Sequence, residues 1–287
     1  MLEHYWRRLF VWAQIISQMR GVTVRDQILL LASAACAPFT SLARLDGFGS
    51  PHLLGNIDIK VADIGQFSLR PGTDDIIHVL KAREPKVLRA IQRLLREGDC
   101  FVDAGANIGF YSVVANRIVR PHGMVVAFEM MPPTATRLRK TLRRNEASNV
   151  KIVEMALSER DGDTVTATSA PDKFGQASIV ANPNDGTRSL HYNVQTITLD
   201  TELFDVGPIR LIKMDLEGAE YLALCGASAV LARTEYILLE SNNRDGRIFK
   251  LLEAAGFSIV VLDGYDYLAT RSGSNDKAGT PLKDRGF

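Results

Sequence analysis

Long apolar runs, cysteines and an excess of either charge are what this sequence lacks. No stretch reaches the ~18 apolar residues needed to span a bilayer. The longest, Ile28 to Phe39, stops well short. Three cysteines (Cys36, Cys100 and Cys225) are few, odd in number and without metal-ligand spacing. They fit neither a disulfide framework nor a zinc site and read as buried free thiols in a reducing, cytoplasmic setting. Thirty-four basic residues against thirty-three acidic ones leave a net charge of +1. Such a balance supplies no basic field for a phosphate backbone, so no nucleic-acid partner is expected. Arg7, Arg8, Arg20 and Arg25 interrupt the start, which argues against a secretory signal. There is no internal repeat. What remains is ordinary globular material: 287 residues, 46% hydrophobic and 23% charged.

The most informative stretch runs from Asp99 to Glu129. An apolar burst, Cys100-Phe101-Val102, ends in Asp103. A small-residue loop follows, Ala104-Gly105-Ala106-Asn107-Ile108-Gly109. Phe110, Val113, Val114 and Ile118 then recur at helical spacing, and a second apolar burst ends in Glu129. Strand, tight turn, helix, strand is one parallel βαβ unit. Such a unit binds its ligand at the carboxyl ends of the strands, beside the first loop. Gly105 lets a ligand approach the backbone, and the helix start offers free N–H groups. Asp103 is placed to pair with a cation. Glu129 is placed to take both hydroxyls of a ribose, slightly beyond the usual spacing of about 20 residues past the loop.

The dinucleotide pattern G-x-G-x-x-G fails, because Asn107 and Phe110 stand where its second and third glycines belong. The pattern present is D-x-G-x-x-x-G. A carboxylate at its head repels a pyrophosphate but suits an ammonium. S-adenosylmethionine, with an amino acid at one end and a ribose at the other, fits this set as cofactor.

Along the chain, residues 1–55 read as a helical extension, with Asp26 capping a second helix that Pro38 ends. This extension would act as a cap or a homo-oligomer contact in preference to lying on a membrane surface. Residues 56–271 read as the main domain, with a β-rich insertion at about 158–209 that carries a mobile loop. Residues 272–287 read as a flexible tail. Three more strands end in or beside acids: Val150 to Met155, Ile209 to Met214 before Asp215, and Tyr236 to Leu239 before Glu240.

The loop, Glu129 and the segment Lys213-Met214-Asp215-Leu216-Glu217-Gly218-Ala219-Glu220 together resemble the FkbM-type methyltransferases, a branch of the class I S-adenosylmethionine-dependent enzymes. Further matching pieces are Arg70-Pro71-Gly72-Thr73-Asp74-Asp75, Ala156-Leu157-Ser158 and Thr198-Leu199-Asp200. The resemblance spans roughly residues 66–263. It departs at Met130-Met131, where the family usually has a proline after the acid. It implies an α/β, Rossmann-like, seven-stranded sheet, mostly parallel, with helices on both faces. It also implies O-methylation of a hydroxyl on a sugar or small natural product. Carried over, Asp103, Gly105 and Asn107 would hold the methionine part, Glu129 the ribose, and Ala156 and Leu157 the adenine.

Methyl transfer to an alcohol gains from positioning and from a base. Asp215 and Glu217 are the candidates for acceptor binding or base work, with Asp215 also counted at the cofactor. Lys213 and His191 are less direct candidates. Glu220 reads as a helix N-terminal acid. Gln176 and Ser178 in the mobile loop, and Glu240 at a strand end, are candidate substrate contacts. Spacing fixes no third ligand beside Asp215 and Glu217, so no metal is assigned. The rival readings are a non-catalytic cofactor-binding scaffold and a nicotinamide oxidoreductase.

Overall fold

A computed structural model describes residues 2–43, 51–180, 189–241 and 245–273. Its centre is a seven-stranded sheet in the order β12-β13-β11-β10-β4-β5-β6. The helices are α1 (Leu2–Gln18), α2 (Val24–Ala43), α3 (Asp75–His78), α4 (Pro85–Leu94), α5 (Phe110–Val119), α6 (Pro132–Arg144), α7 (Leu199–Glu202), α8 (Glu220–Cys225), α9 (Ser228–Ala232) and α10 (Gly246–Ala254). Three strands precede the central sheet: β1 (Met19–Gly21), β2 (Ile57–Val61) and β3 (Gly65–Leu69). Its own strands are β4 (Cys100–Ala104), β5 (Met124–Phe128), β6 (Val150–Val153), β10 (Ile209–Met214), β11 (Thr234–Glu240), β12 (Phe257–Asp263) and β13 (Asp266–Arg271). Between β6 and β10 lie β7 (Ala156–Leu157), β8 (Thr164–Ser169) and β9 (Leu190–Ile197), which make a smaller sheet in the order β7-β9-β8.

The sheet is mostly parallel, as expected. β4 pairs in parallel with β5 and β10, and β13, the last strand, runs antiparallel between β11 and β12. Side chains alternate across a strand, so each strand feeds two cores. Phe101, Leu211 and Tyr236 face a layer with α4, α5 and β2–β3. Val102, Ile212 and Ile237 face α8, α9 and α10. All five residues of β4 are buried, which explains why that strand reads as an unbroken apolar burst up to its terminal acid.

Two expectations at the amino end need correction. A strand, β1, interrupts the helical run and pairs antiparallel with β2. The second helix passes through Pro38 and continues to Ala43. The missing N–H of one proline does not outweigh the register that the rest of the helix sets through Asp26, Leu30, Ser33 and Ala37, buried at spacings of three and four. Val24, Ile28 and Leu31 on its opposite face are exposed. The flexible tail expected at 272–287 lies, past Gly273, outside the described residues, as does part of the mobile loop, 181–188. Among the described residues no helix is long and apolar enough to cross a membrane.

Candidate functional site

The carboxyl ends of β4, β5 and β10 converge on the loop that opens with Gly105. Gly105 has φ +86°, and a Cβ there would fall 2.0 Å from the Asp215 carbonyl oxygen. Two demands, a left-handed backbone and contact with the next strand's end, therefore leave glycine alone at this position. The Gly105 and Ala106 N–H groups donate to Phe128 O at 3.1 and 2.8 Å, tying the loop to β5. Asp103, the acid before the loop, is buried beneath it. Its Oδ2 accepts from Ser112 Oγ at 2.6 Å, and its Oδ1 has no partner. Burial raises the Asp103 carboxyl, against the pull of Lys213 and Ser112.

Glu129 stands one strand over. Its Oε2 accepts from Asn107 N–H at 2.9 Å and its Oε1 from Met131 N–H at 2.8 Å. Both oxygens are thus fixed by backbone, each with lone-pair capacity left for a ligand hydroxyl. The turn keeps Glu129 in place despite the Met130-Met131 departure. Burial pushes its carboxyl up to about 7, opposed by those two N–H donors and by Arg70. Asn107 adopts φ +50°, and its Oδ1 is buried without a partner.

At the end of β10 the charges are arranged differently. Parallel pairing sets Lys213 beside Asp103 across the strands. Lys213 Nζ donates to Asp215 Oδ2 at 3.0 Å and lies 5.3 Å from the Tyr111 ring centre. Burial lowers Lys213, but Asp215, Asp103 and Glu84 outweigh it and hold the ammonium charged. It is placed as a counter-ion to Asp215. Burial pushes Asp215 up, yet Lys213 and Arg83 prevail and keep it below the usual carboxylate range. Glu217 goes the other way. Burial, then repulsion by Asp215 and Glu240, push it up to about 8. Its backbone is left-handed at φ +51°. The loop around it is gathered by Glu220, whose Oε1 accepts from Leu216 N–H (2.8 Å) and Gly218 N–H (3.2 Å). Glu220 thus holds the turn, in line with its reading as a helix N-terminal acid.

The motif from Arg70 to Asp75 holds the roof. Arg70 and Asp75 form a buried two-pronged pair at 2.9 and 2.6 Å. The Arg70 guanidinium lies 4.3 Å from the ring centre of Phe174 in the insertion, and Asp74 N–H donates to Asp172 O at 3.0 Å. Gly175 follows, so close that a Cβ would lie 2.1 Å from His78 Nε2 and 2.9 Å from Asn107 Nδ2. Ser178 Oγ closes the roof by donating to Glu217 O at 2.8 Å.

These parts enclose a cleft of about 840 Å³, counting space open to solvent. Gly105, Asn107, Glu129, Ala156, Leu157, Asp215 and Glu217 share its wall. Asp103 lies one layer behind. Gln176 and Ser178 do not line it, although Gly175 and Ala177 beside them do. Glu240 lines a smaller neighbouring cavity with Glu84, Asp266 and Lys213. His191 is exposed on β9, bonded to Thr168. Among the described residues no group of three or more histidine, cysteine or acidic side chains is arranged to hold a metal ion. Sequence reasoning missed His78, Arg83, Tyr111 and Phe174, which line the cleft. The one available signal was the Arg70–Asp75 motif, three residues upstream of His78.

A family model described as the methyltransferase FkbM domain matches residues 103–259, from the acid before the Gly105 loop to the strand β12. No curated protein sequence matches the chain. Solved structures that are similar include three methylases. A precorrin-6y C5,15-methyltransferase from Geobacter metallireducens is 16% identical with a TM-score of 0.42, over 66% of this chain and 89% of that one. A putative rRNA methylase from Clostridium thermocellum is 11% identical with a TM-score of 0.44, over 64% and 92%. An S-adenosylmethionine-dependent O-methyltransferase from Thermotoga maritima is 16% identical with a TM-score of 0.42, over 72% and 73%.

Proposed function

The chain belongs to the FkbM methyltransferase domain family, and from that premise we propose that it methylates a hydroxyl oxygen of a small hydroxylated or glycosylated acceptor, with S-adenosylmethionine as donor. The cleft fits that donor. The unpartnered, buried Oδ1 of Asn107 is unmet polar capacity on the cleft wall where an amino acid would lie, with the Asp103 carboxyl one layer behind it. Glu129 presents a backbone-fixed carboxylate for ribose hydroxyls. Ala156 and Leu157, with Phe128 and Met155, give an apolar wall for a base. Gly105 completes the set by leaving the backbone open to close approach.

When bound, S-adenosylmethionine supplies a methyl group on a positively charged sulfur, open to in-line attack. The protein then has to hold an oxygen nucleophile in line and remove its proton. What supports the hydroxyl acceptor is Glu217: its carboxyl stands on the cleft wall and is tuned to about 8, near neutrality. A neutral amine attacks without losing a proton first, whereas an alcohol benefits from a base in the transition state. Asp215, kept ionised by Lys213, is too weak a base for that role and is assigned to binding, facing donor and acceptor. Two neighbouring carboxyls pushed apart in acidity commonly divide such roles. Gln176 and Glu240, at the margins, are assigned to the acceptor's outer parts, and Ser178 to holding the Glu217 backbone. The near-zero net charge supports a small acceptor in place of a nucleic acid.

The test begins with calorimetric titration of the protein with S-adenosylmethionine and, separately, NADH. A screen of hydroxyl and amine acceptors follows, with methylated product read by mass. Binding of the donor alone and product only from hydroxyl acceptors is the expected result. Binding of NADH alone, or product from amines only, would overturn the assignment. Donor binding without turnover of any acceptor would point to the scaffold rival.

Glu129 gives a second expected outcome. Ribose hydroxyls donate best to the ionised carboxylate, and its pKa is about 7. Donor affinity should therefore rise with pH through about 7 and weaken as the group is protonated below it. Glu129→Gln should flatten that dependence, and Glu129→Ala should cost about 10- to 100-fold in affinity. Wild-type affinity in the alanine variant would sink the ribose assignment.

A further inference from the structure

One half of the Arg70–Asp75 motif has a use: Asp75 pairs with Arg70. Its neighbour Asp74 pairs with His78 instead. Asp74 Oδ2 lies 3.1 Å from His78 Nε2, one helical turn on, and both side chains are largely buried. The other ring nitrogen, Nδ1, is in contact with Arg83 Nη1. A guanidinium has donors only, so Nδ1 must accept and Nε2 must carry the hydrogen directed at Asp74. The ring is thereby fixed in one tautomer. Arg83 is held from its other side by Glu84, whose Oε1 lies 2.9 Å from Nε. Glu84 in turn accepts from Tyr111 Oη at 2.7 Å through Oε2.

We propose that Asp74 and His78 are positioning residues that hold the Arg83 guanidinium over the acceptor end of the cleft, with its charge facing Asp215 and Glu217. Five observations converge on this role. Asp74 is anchored at its own N–H by Asp172 O. His78 meets Asp74 on one edge and Arg83 on the other. Gly175 leaves room for the imidazole under the roof. His78 and Arg83 both line the cleft with Asp215 and Glu217. Arg83 acts electrostatically on both carboxyls, lowering each. A long, partly exposed arginine would otherwise sample many rotamers, and anchoring it at both ends removes that freedom before the acceptor arrives. The groups facing Arg83 are Glu84, Asp215, Tyr111 and Glu240. Those facing Glu217 are Asp215, Glu240, Glu220 and Arg83.

This relay rests on Glu217 as the base, and two measurements separate the ideas. The first is the pH profile of kcat/KM. Arg83→Met and His78→Leu should each move the Glu217 inflection upward by about one unit, since an opposing charge is removed or released. At pH 7 that is about a tenfold loss. The double variant should move it no further, because the two act through one contact. His78→Asn, which returns an acceptor near the Nδ1 position, should restore most of the wild-type profile. A His78 that merely supports the fold would lower stability and leave the inflection where it was. An unmoved inflection in either single variant, or additive shifts in the double, would overturn the relay. The second is the ¹⁵N spectrum of the five histidines of the whole protein, with His78→Asn for assignment. The hydrogen of His78 should sit on Nε2, and a hydrogen on Nδ1 would overturn the relay even if Glu217 proved to be the base. A wild-type profile without an inflection would instead remove Glu217 as the base, and the spectrum would still judge the relay.

Discussion

Glu217→Gln is expected to lower kcat by about 10²- to 10⁴-fold, the usual contribution of a positioned general base, with the affinity for S-adenosylmethionine unchanged. The shape of glutamine is nearly that of glutamate, so the loop held by Glu220 and by the Ser178 bond to the Glu217 carbonyl should persist. The pH profile carries the sign. Glu217 is pushed up to about 8 by burial and by Asp215 and Glu240. It works as a base only when ionised, so kcat/KM should climb as pH rises toward that value and level off above it. In the glutamine variant the climb should vanish, leaving a low, flat rate. A variant that keeps the climb would place the base elsewhere. Asp215 is the weaker alternative. Held below the usual carboxylate range by Lys213 and Arg83, it stays ionised through neutral pH and would give no inflection there.

Asp75→Asn is expected to have the largest effect on stability. Asp75 is 0% exposed and receives two prongs of a guanidinium that is itself buried. It also accepts Arg70 N–H at 2.8 Å. Removing the carboxylate strands the Arg70 charge in the interior, which costs about 3–5 kcal/mol. Chemical denaturation should show it as a lower midpoint with an unchanged slope. The double variant Arg70→Met/Asp75→Asn should recover part of the loss, because no unpaired charge remains. A double variant as unstable as the single would mean that the pair matters for its packing and not its charge. The same substitution should disturb the site, since Arg70 also stacks on Phe174 of the roof and steadies the Glu129 carboxylate.

These sites differed in how legible they were. The Asp103–Gly105–Glu129 set could be read because local rules produce it: a strand burst, a left-handed glycine and a strand-end acid all fall within about thirty consecutive positions. The acids after β10 were visible for the same reason. Their opposite electrostatic fates were not, because Lys213 and Arg83 lower Asp215 against its burial while burial, Asp215 and Glu240 raise Glu217. That outcome depends on which charges the parallel register sets side by side. Lys213 was a less direct candidate in the sequence, and the carboxyl groups of Asp215, Asp103 and Glu84, which favour its charged form, come beside it only in the fold. Gln176 and Ser178 were singled out by position in a long loop. The backbone there turns its glycine and alanine, Gly175 and Ala177, toward the cleft and aims Ser178 at a carbonyl. A loop has no repeating period, so nothing in the sequence says which of its residues point inward.

The sequence by itself determined the βαβ unit and the Gly105 loop, because periodicity and short-range turn chemistry are written in neighbouring residues, and its motifs carried the family resemblance that implied the seven-stranded sheet. Only the tertiary structure decided that Pro38 lies within a helix, that the Arg70–Asp75 motif carries the roof of the cleft, and that His78 and Arg83 line the same cleft as Asp215 and Glu217. The last two rest on contacts between distant segments, such as Arg70 with Phe174, Asp74 with Asp172 and His78 with Gly175. Such contacts depend on burial and charge in three dimensions, and no local pattern encodes them.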